Sequence, residues 1–297
     1  MKILPRYPVY IPSKGRANFC FTAKFFIEDG IDFKIVVEPQ EADLYIQNYG
    51  AERILVLPFS NLGMGSTPAR NWLWDHAKKN GHKRHWCFDD NIRWIYRRYQ
   101  TKRIRCNTGI ALRACEDFTD RYTNIGVSGL NYEMFAPDTG KMPPYQLNCH
   151  VYSALLIDNN LPYRWRLRYN EDTDLCLQVV TNNLCTVLFN AFLIKKMRTM
   201  TLKGGNSDEL YKADGRLKMA RSLEAMWPEY VTTRYRYGRP QHVIKDSWRC
   251  FKTPLIRRPD LDWDNLPAVN NYGMTLKKMK EIKSVELQQL YKEIHNE

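Results

Sequence analysis

Three consecutive oxygen-bearing side chains, Asp89, Asp90 and Asn91, follow an apolar segment that ends at Phe88. Hard divalent cations such as Mg²⁺ and Mn²⁺ prefer oxygen ligands and take the remaining ones from phosphates and water. A carboxylate pair at the end of a strand can therefore hold a metal ion against a diphosphate leaving group. The alternative is an Asx turn, because Asp and Asn commonly end strands. Taken alone, the motif leaves both interpretations open.

A second acidic cluster, Glu-Asp-Thr-Asp at 171–174, begins a segment with helical periodicity. Carboxylates also stabilise helix N-termini, so capping is the plain alternative to a functional role. The residues before the cluster alternate between apolar side chains and arginines, namely Arg164, Arg166 and Arg168. In an extended strand such a row projects to one face. Arginines leading into carboxylates suit a site that binds anions beside a general base.

A turn with Ser13, Lys14, Gly15 and Arg16 follows the first apolar segment and has the composition of a phosphate contact. The chain contains no G-x-x-x-x-G-K-[ST] and no G-x-G-x-x-G. Neither a P-loop NTPase nor a Rossmann dehydrogenase is therefore supported.

The elements that must position these residues alternate between strand and helix patterns from residue 7 to residue 92, which predicts βαβ units and a mostly parallel sheet. Ligands of such sheets bind beyond the carboxyl ends of the strands, where the polar motifs fall. The second half is more mixed, with a long strand-like run at 147–157. Further helices are predicted at 208–226 and 277–295.

The composition is that of a basic globular protein of 297 residues with net charge +13 and pI near 9.3. This charge favours a polyanionic partner, although many basic enzymes bind nothing large. Eight cysteines without a C-x-x-C spacing predict a reduced, cytoplasmic chain. No apolar run approaches the roughly 20 residues of a membrane helix, and the N-terminus does not have the pattern of a signal peptide.

Two segments mix cations with aromatic side chains, a composition that suits phosphate contact together with base stacking. The predicted DNA-binding residues are Arg93, Arg97, Arg98, Lys102, Arg103, Arg234 and Arg236. The alternative is a solvated basic face whose aromatic residues pack inward.

Four motifs occur in a fixed order along the chain. They are Tyr-Ile-Pro-Ser-Lys-Gly-Arg at 10–16, Gly-Ser-Thr-Pro-Ala-Arg-Asn at 65–71, Asp-Asp-Asn at 89–91 and Asn-Glu-Asp-Thr-Asp at 170–174. The ordered set resembles GT-A glycosyltransferases. More narrowly, with Leu-Lys-Gly-Gly-Asn at 202–206, the chain is similar to phage DNA glycosyltransferases associated with ten-eleven-translocation dioxygenases. It is also similar to the arabinosyl-hydroxymethylcytosine transferases of T-even-like phages.

The resemblance implies an α/β, GT-A-like fold with a Rossmann-type, mostly parallel central sheet flanked by helices and a mixed second half. Residues 1–200 would form the catalytic domain. Its nucleotide-sugar half would span about 1–92 and its acceptor half about 93–200. Residues 201–297 would form a helical, basic C-terminal extension.

The resemblance also implies roles for individual residues. Contacts to the nucleotide-sugar would come from Pro12, Ser13, Arg16, Glu38, Arg70 and Asp89. A divalent metal, Mn²⁺ or Mg²⁺, would be held by Asp90, Asn91 and His242. Asn91 stands where the family's motif usually ends in a carboxylate, so we expect weaker metal binding. Asp172, with Glu171 beside it, would be the general base.

The function that follows is transfer of a sugar from a UDP-sugar to the hydroxyl of 5-hydroxymethylcytosine in DNA, with inversion at the sugar carbon. An acceptor base in a duplex would have to leave the stack. Two alternatives stay open. One is a GT-A enzyme that acts on already glycosylated hydroxymethylcytosine or on a glycan or lipid. The other is a non-catalytic DNA-binding protein on a GT-A scaffold.

Overall fold

The computed structural model describes residues 3–99, 102–136, 142–197, 204–205 and 215–266. The chain divides into two compact units, Met1–Arg257 and Arg258–Glu297. In the second unit the described residues form a bend. The side chain of Arg258 pairs with Asp260, and the backbone carbonyl of Arg258 accepts a hydrogen bond from the indole N–H of Trp263 (2.9 Å). The predicted helix at 277–295 lies outside the described residues.

A ten-stranded sheet forms the centre of the first unit, in the order β3-β2-β1-β4-β9-β7-β10-β5-β6, with β8 paired to β10. The strands are β1 Val9–Pro12, β2 Lys34–Val37, β3 Ile54–Val56, β4 Arg84–Phe88, β5 Ile92–Tyr99, β6 Lys102–Arg105, β7 Ile125–Tyr132, β8 Tyr145–Leu147, β9 Ala154–Asp158 and β10 Cys185–Lys196. Strands β3, β2, β1 and β4 are parallel, whereas β9 and β5 run antiparallel to their neighbours. The predicted GT-A-like α/β architecture, parallel first and mixed later, is confirmed.

Six α-helices occur in the described ranges: α1 Phe21–Asp29, α2 Ala42–Tyr49, α3 Thr67–Lys79, α4 Thr108–Thr119, α5 Glu171–Val180 and α6 Gly215–Met226. Helix α3 buries Leu73 and Trp74 completely in a core cluster with Tyr10 and Leu155 of the sheet. Removing this much apolar surface from water is the main force that holds the helix on the sheet. Because β1, β2 and β4 are parallel, their carboxyl ends meet at one edge.

Helix α4 carries a buried carboxylate, Glu116, that joins three parts of the chain. Its oxygens accept hydrogen bonds from the backbone N–H groups of Arg6 (2.7 Å) and Tyr7 (3.3 Å) and from the indole N–H of Trp86 (2.9 Å). Burial raises the pKa of Glu116 to about 7 despite these donors. The N-terminal segment is thereby tied to both α4 and β4.

The run predicted as one long strand, 147–157, is broken. Strand β8 ends at Leu147, β9 begins at Ala154, and Asn148 (φ 51°) and Ser153 (φ 63°) between them adopt the left-handed conformation. Two such residues cannot continue a ladder, so the intervening chain leaves the sheet. The apolar pattern alone did not reveal this break, because residues of the loop are buried as well.

Residues 215–257 belong to the same compact unit as the sheet. They contain α6 and a hairpin of β11 (Val231–Arg236) and β12 (Arg239–Ile244), which the sequence did not predict. A small core attaches them to the sheet layer, formed by Leu167, Leu177, Leu223, Val231 and Ile244. Of the predicted helix at 208–226, residues 215–226 are helical and the preceding ones lie outside the described part.

All eight cysteines are free. None of the helices in the described ranges has the length and apolar character required to span a membrane.

Candidate active site

A cavity of about 320 Å³ opens at the edge of the sheet where the parallel strands end. This volume is at the lower end of the range typical of ligand pockets. Every residue that was predicted for catalysis, nucleotide-sugar binding or metal binding lines it, namely Pro12, Ser13, Arg16, Glu38, Arg70, Asp89, Asp90, Asn91, Glu171, Asp172 and His242. Positions up to 230 residues apart in the chain thus face one space.

The turn after β1 is bound to the Asp-Asp-Asn motif. Ser13 Oγ donates to Asp90 Oδ2 (2.7 Å), and Arg16 Nη1 donates to Asp90 Oδ1 (2.6 Å). Burial raises the pKa of Asp90, and the charge of Arg16 opposes that effect. Arg16 also donates to the carbonyl of Gly204 (2.9 Å), so the Gly-Gly pair at 204–205 approaches the same turn. A Cβ on Gly204 (φ 80°) would meet the backbone carbonyl oxygen of Gly15 at 2.5 Å, so only glycine fits this approach.

Glu38, after β2, has both of its carboxylate oxygens occupied. The backbone N–H of Asn61 donates to Oε1 (3.0 Å), and Gln40 donates to Oε2 (2.6 Å). Lys14 Nζ lies 3.1 Å from Oε2 and also donates to the Asn61 side chain (2.9 Å). These contacts hold the loop after β3 against the turn after β1, on the side of the cavity lined by Leu57 and Phe59.

Asp89 is held by two cations and a hydroxyl. Arg70 Nη2 donates to Oδ1 (2.9 Å), and both Lys196 Nζ (2.7 Å) and Ser153 Oγ (2.7 Å) donate to Oδ2. Although burial acts to raise the pKa of Asp89, Lys196 and Arg70 hold it below its usual range. Lys196 also donates to Tyr132 (3.0 Å), and its own pKa is raised by the Asp89 charge against the effect of burial.

Arg70 has hydrogen-bonding capacity that its protein neighbours do not use. Its guanidinium stacks on Trp165 (4.6 Å) and pairs with Asp89, but Nε and Nη1 are buried without a hydrogen-bond partner among the described residues. A buried, unpaired donor costs about 1–3 kcal/mol, more when it is charged. Because Arg70 lines the cavity, an anionic ligand there would remove this cost.

Glu171 and Asp172 are adjacent carboxylates whose pKa values are shifted in opposite directions. Burial and the neighbouring Asp172 charge raise the pKa of Glu171, which accepts a hydrogen bond from Ser66 (2.7 Å). Burial opposes ionisation of Asp172 too, but His150, 3.3 Å away, and Arg70 hold its pKa below the usual range. Two acids with opposite shifts are the pattern by which acid and base roles are separated in one site. Asp172 is the ionised member.

Two histidines stand on the Asp172 side of the cavity. His150 contacts Asp172 and Thr173 and stacks on Trp248, with ring centroids 6.0 Å apart and an interplanar angle of 11°. His242, on β12, is partly buried. This burial and, to a smaller extent, the nearby His150 lower the pKa of His242 to about 4. His242 is therefore a neutral imidazole at neutral pH and is able to act as a metal ligand.

The chemistry of the donor set decides whether a divalent cation fits. Both oxygens of Asp89 and of Asp90 already bond to protein groups, and within the described ranges no three His, Cys, Asp or Glu residues form a metal cluster. Asn91 Oδ1, however, is buried at the cavity without a partner among the described residues. Such a site fits the Mg²⁺ mode in which one or two protein oxygens and the substrate phosphates share the ion.

The predicted DNA-binding residues fall into two groups. Arg93, Arg97, Arg98, Lys102 and Arg103 lie on β5 and β6 at one edge of the sheet. Strand β5 begins at Ile92 opposite Lys196 and runs away from the cavity, so Arg97 lies roughly 17 Å farther along it. Arg234 and Arg236 lie on the hairpin that carries His242 into the cavity wall. Only the hairpin group is part of an element that also lines the cavity.

The predicted row of Arg164, Arg166 and Arg168 is not a strand, and its members diverge. Arg164 donates to the carbonyls of Leu161 and Tyr163, Arg166 pairs with Asp174 (2.6 Å), and Arg168 lines the cavity. The prediction of one arginine face was wrong because local carbonyl and carboxylate acceptors bind two of the three.

Sequence reasoning missed Lys196, Tyr132 and Ser153, which together surround Asp89. They come from three separate strand ends or loops. A signal was present for Lys196, because a lysine pair ends the long apolar strand that starts at Cys185. No local pattern marks Tyr132 or Ser153.

The parallel sheet, the cavity at its carboxyl edge and the paired acidic motifs are those of a GT-A-like glycosyltransferase. Comparison with protein families agrees: the model of the TET-associated glycosyltransferases matches residues 7–205, about two thirds of the chain. This chain therefore belongs to the TET-associated glycosyltransferase family, and it is a glycosyltransferase. Among curated proteins, none matches it significantly.

Proposed function

We propose that this enzyme transfers a sugar from a UDP-sugar to the hydroxyl of 5-hydroxymethylcytosine in DNA. The observation that carries the proposal is that one cavity joins Arg70, a buried cation with unused donors, to Asp172, an ionised carboxylate. The first suits the diphosphate of an activated sugar, and the second suits removal of a proton from an acceptor hydroxyl.

On the donor side, the nucleotide binds against the turn after β1 and the loop after β3, with Glu38 and Phe59 on the wall that receives the base and ribose. Arg16 and Arg70 face the diphosphate. Their charges are held in place by Asp90 and Asp89, so little reorganisation accompanies binding. Preorganised cations aimed at developing negative charge are the main electrostatic device of such transfers.

On the acceptor side, Asp172 takes the proton of the hydroxymethyl group as the acceptor oxygen bonds to the sugar carbon. The bond from that carbon to the phosphate oxygen breaks, and its electron pair leaves on UDP. Because the pKa of Asp172 is low, proton transfer accompanies formation of the new C–O bond, when the hydroxyl becomes acidic. A single displacement of this kind inverts the sugar carbon.

A divalent metal ion fits this scheme beside the diphosphate. Asn91 Oδ1 would hold it, with Asp90 after exchange of one of its present partners, and neutral His242 available from the other wall. Bound there, the ion would supply charge neutralisation for the departing UDP. Arg16 and Arg70 supply part of the same neutralisation from the protein.

Three observations support DNA as the acceptor. The family is associated with TET proteins by its description. The net charge is +13, which favours a polyanion. The Asp172 side of the cavity is walled by an exposed basic hairpin with Arg234 and Arg236. A phosphate backbone beside the cavity and a base inside it would use these features together.

The test is incubation of the enzyme with Mn²⁺, a panel of UDP-sugars, and DNA that contains either cytosine or 5-hydroxymethylcytosine, followed by mass spectrometry of the nucleosides. We expect a hexose, pentose or N-acetylhexosamine mass gain on hydroxymethylcytosine alone. UDP release without any gain on DNA would overturn the acceptor assignment and point to pre-glycosylated DNA or a glycan. Neither UDP release nor UDP-sugar binding would overturn the proposal altogether.

A further inference from the structure

One face of the β11–β12 hairpin is directed towards the cavity, and the opposite face carries exposed arginines. Cross-strand pairing places Thr233 opposite His242 and Tyr235 opposite Pro240, and alternate residues of a strand share a face. His242 lines the cavity, so Tyr235 stands on the same face two cross-strand pairs nearer the tip. That step is about 7 Å, and Tyr235 is 75% exposed. The other face bears Arg234, Arg236 and Arg239.

At the tip of this hairpin, one turn residue has a side chain that is unfavourable for the backbone conformation it adopts. The two residues of the turn, Tyr237 (φ 52°) and Gly238 (φ 70°), both have positive φ, as a type I′ turn requires. Asn, Asp and Gly are the residues that tolerate this conformation, whereas a bulky side chain is an outlier. Tyr237 nevertheless occupies it, and its side chain is 90% exposed.

The charges beside the tip also disfavour the hairpin. Arg236 and Arg239 are directly opposite across the two strands, a pairing of like charges that destabilises a hairpin. Neither they nor Arg234 pairs with a carboxylate in the part of the chain that the structure describes. Backbone strain of this kind clusters at functional sites, which makes the tip a candidate functional element. A polyanion would relieve the repulsion, and a stack of aromatic rings would accommodate the tyrosine.

We propose that the hairpin is the element that opens the DNA duplex. The arginines contact phosphates on either side of the target nucleotide. Tyr237 enters the base stack at the place that the extruded base leaves, while Tyr235 lies along the path from the stack to the cavity. Aromatic or apolar side chains that enter a base step offset part of the cost of unstacking it. The partner is therefore double-stranded DNA rather than a strand that is already open.

This inference rests on the proposed function, because it assumes a base as the acceptor. It also predicts that the importance of the residue depends on how the target base is paired. The cost of extrusion is largest for a paired base, smaller for a mismatched one and smallest for a single strand. A residue that assists extrusion matters in that order, whereas a residue that only binds DNA or holds the fold matters equally for all three substrates.

The experiment compares wild type with Tyr237→Asn and Tyr237→Trp on three oligonucleotides of one sequence. Hydroxymethylcytosine is paired with guanine, mismatched with another base, or in a single strand. Asn is the residue that a type I′ turn prefers, so Tyr237→Asn removes the ring without weakening the hairpin. Trp keeps an aromatic ring at the tip. Thermal unfolding of each variant reports on the fold independently of transfer.

We expect Tyr237→Asn to lower kcat/KM on the paired substrate about tenfold or more relative to its value on the single strand. The deficit should be intermediate on the mismatch, and Tyr237→Trp should restore most of the paired rate. A deficit equal on all three substrates, or none, would overturn the inference while leaving DNA as the acceptor. Absence of wild-type transfer to any of the three would instead count against the proposed function itself.

Discussion

The two walls of the cavity are built in different ways. The donor wall comes mainly from the first 91 residues, whose strand ends lie side by side, and its side chains are joined to one another by buried ion pairs such as Arg16–Asp90 and Arg70–Asp89. The acceptor wall comes from helix α5, the loop before β9 and the hairpin. Its members make few polar contacts with each other, and the hairpin is exposed from residue 234 to residue 239.

The difference is consistent with the ligands that we propose for the two walls. A nucleotide diphosphate presents one shape and one charge pattern, and a rigid, prearranged set of cations recognises it best. A large polyanion that must be deformed needs exposed cations and rings on an arm outside the core. Arg70 is buried and paired with Asp89, whereas Arg234 and Tyr237 are exposed.

The largest expected effect is on kcat, and it distinguishes the acceptor wall from the donor wall. Asp172→Asn should lower kcat by roughly 10²–10⁴-fold, because general-base catalysis contributes about this much. UDP-sugar binding, measured by calorimetry, should change little, since Asp172 lies on the acceptor side. Glu171→Gln is the matched comparison and should have a smaller effect on kcat. Loss of donor binding in Asp172→Asn with transfer retained in the bound fraction would contradict the role of Asp172 as the base.

A change on the donor wall should act on the nucleotide instead. Lys196→Met removes one of the two cations that hold Asp89 and leaves Arg70 and the Ser153 hydroxyl in contact with it. Buried hydrogen bonds to charged groups are worth about 1.5–3 kcal/mol, so we expect kcat/KM for the UDP-sugar to fall roughly 10–150-fold. The measurement is initial-rate kinetics at varied donor concentration, with KM for DNA unchanged.

The neighbouring lysine is a control for that variant. Lys195 points to the other face of β10, where it lies over the Trp94 ring (5.3 Å), and it does not line the cavity. Lys195→Met removes the same charge one residue away. If both variants lowered kcat/KM for the UDP-sugar equally, the effect would be due to the loss of net charge and not to the contact with Asp89.

The acceptor wall makes a smaller, salt-dependent contribution. Arg234→Gln with Arg236→Gln should weaken binding to duplex DNA and lower the slope of log K against log salt by about 1.8, since each phosphate contact contributes about 0.9. The matched pair is Arg97→Gln with Lys102→Gln, on the sheet edge that runs away from the cavity. A reduced slope in this second pair and none in the first would move the DNA-binding surface from the hairpin to the β5–β6 edge.

The smallest effect lies outside both walls and concerns stability. The pKa of Glu116 is about 7 in the folded chain against 4.5 for the free group, so the native state binds the proton more tightly. The unfolding free energy should therefore fall as pH rises from about 4.5 to 7, by at most about 3 kcal/mol from this group. Urea denaturation across this range should show the slope in wild type and its loss in Glu116→Gln. A stability that rises with pH in wild type and not in the variant would contradict the assignment.

Much of the fold could be predicted because its signals are local. The alternation of β-branched strands with capped helices before residue 92 specifies parallel βαβ units, and parallel strands end at one edge by geometry. The hairpin could not be predicted, because the basic, aromatic segment at 231–244 has only Val231 and Ile244 buried in the core cluster. A pattern with so few buried positions has no period to detect.

The sequence by itself determined the α/β architecture, the sheet edge at which the cavity opens and ten of its lining residues, because each of those motifs follows a strand or begins a helix within a few residues. His242, which also lines the cavity, lies on the hairpin and has no such local signal. Only the tertiary structure decided how these residues are charged and partnered. Asp89 acquires Lys196 and Ser153, and Asp172 acquires His150, through contacts between residues 22–107 positions apart. Contacts at such distances follow from the packing of the sheet, which no local pattern encodes.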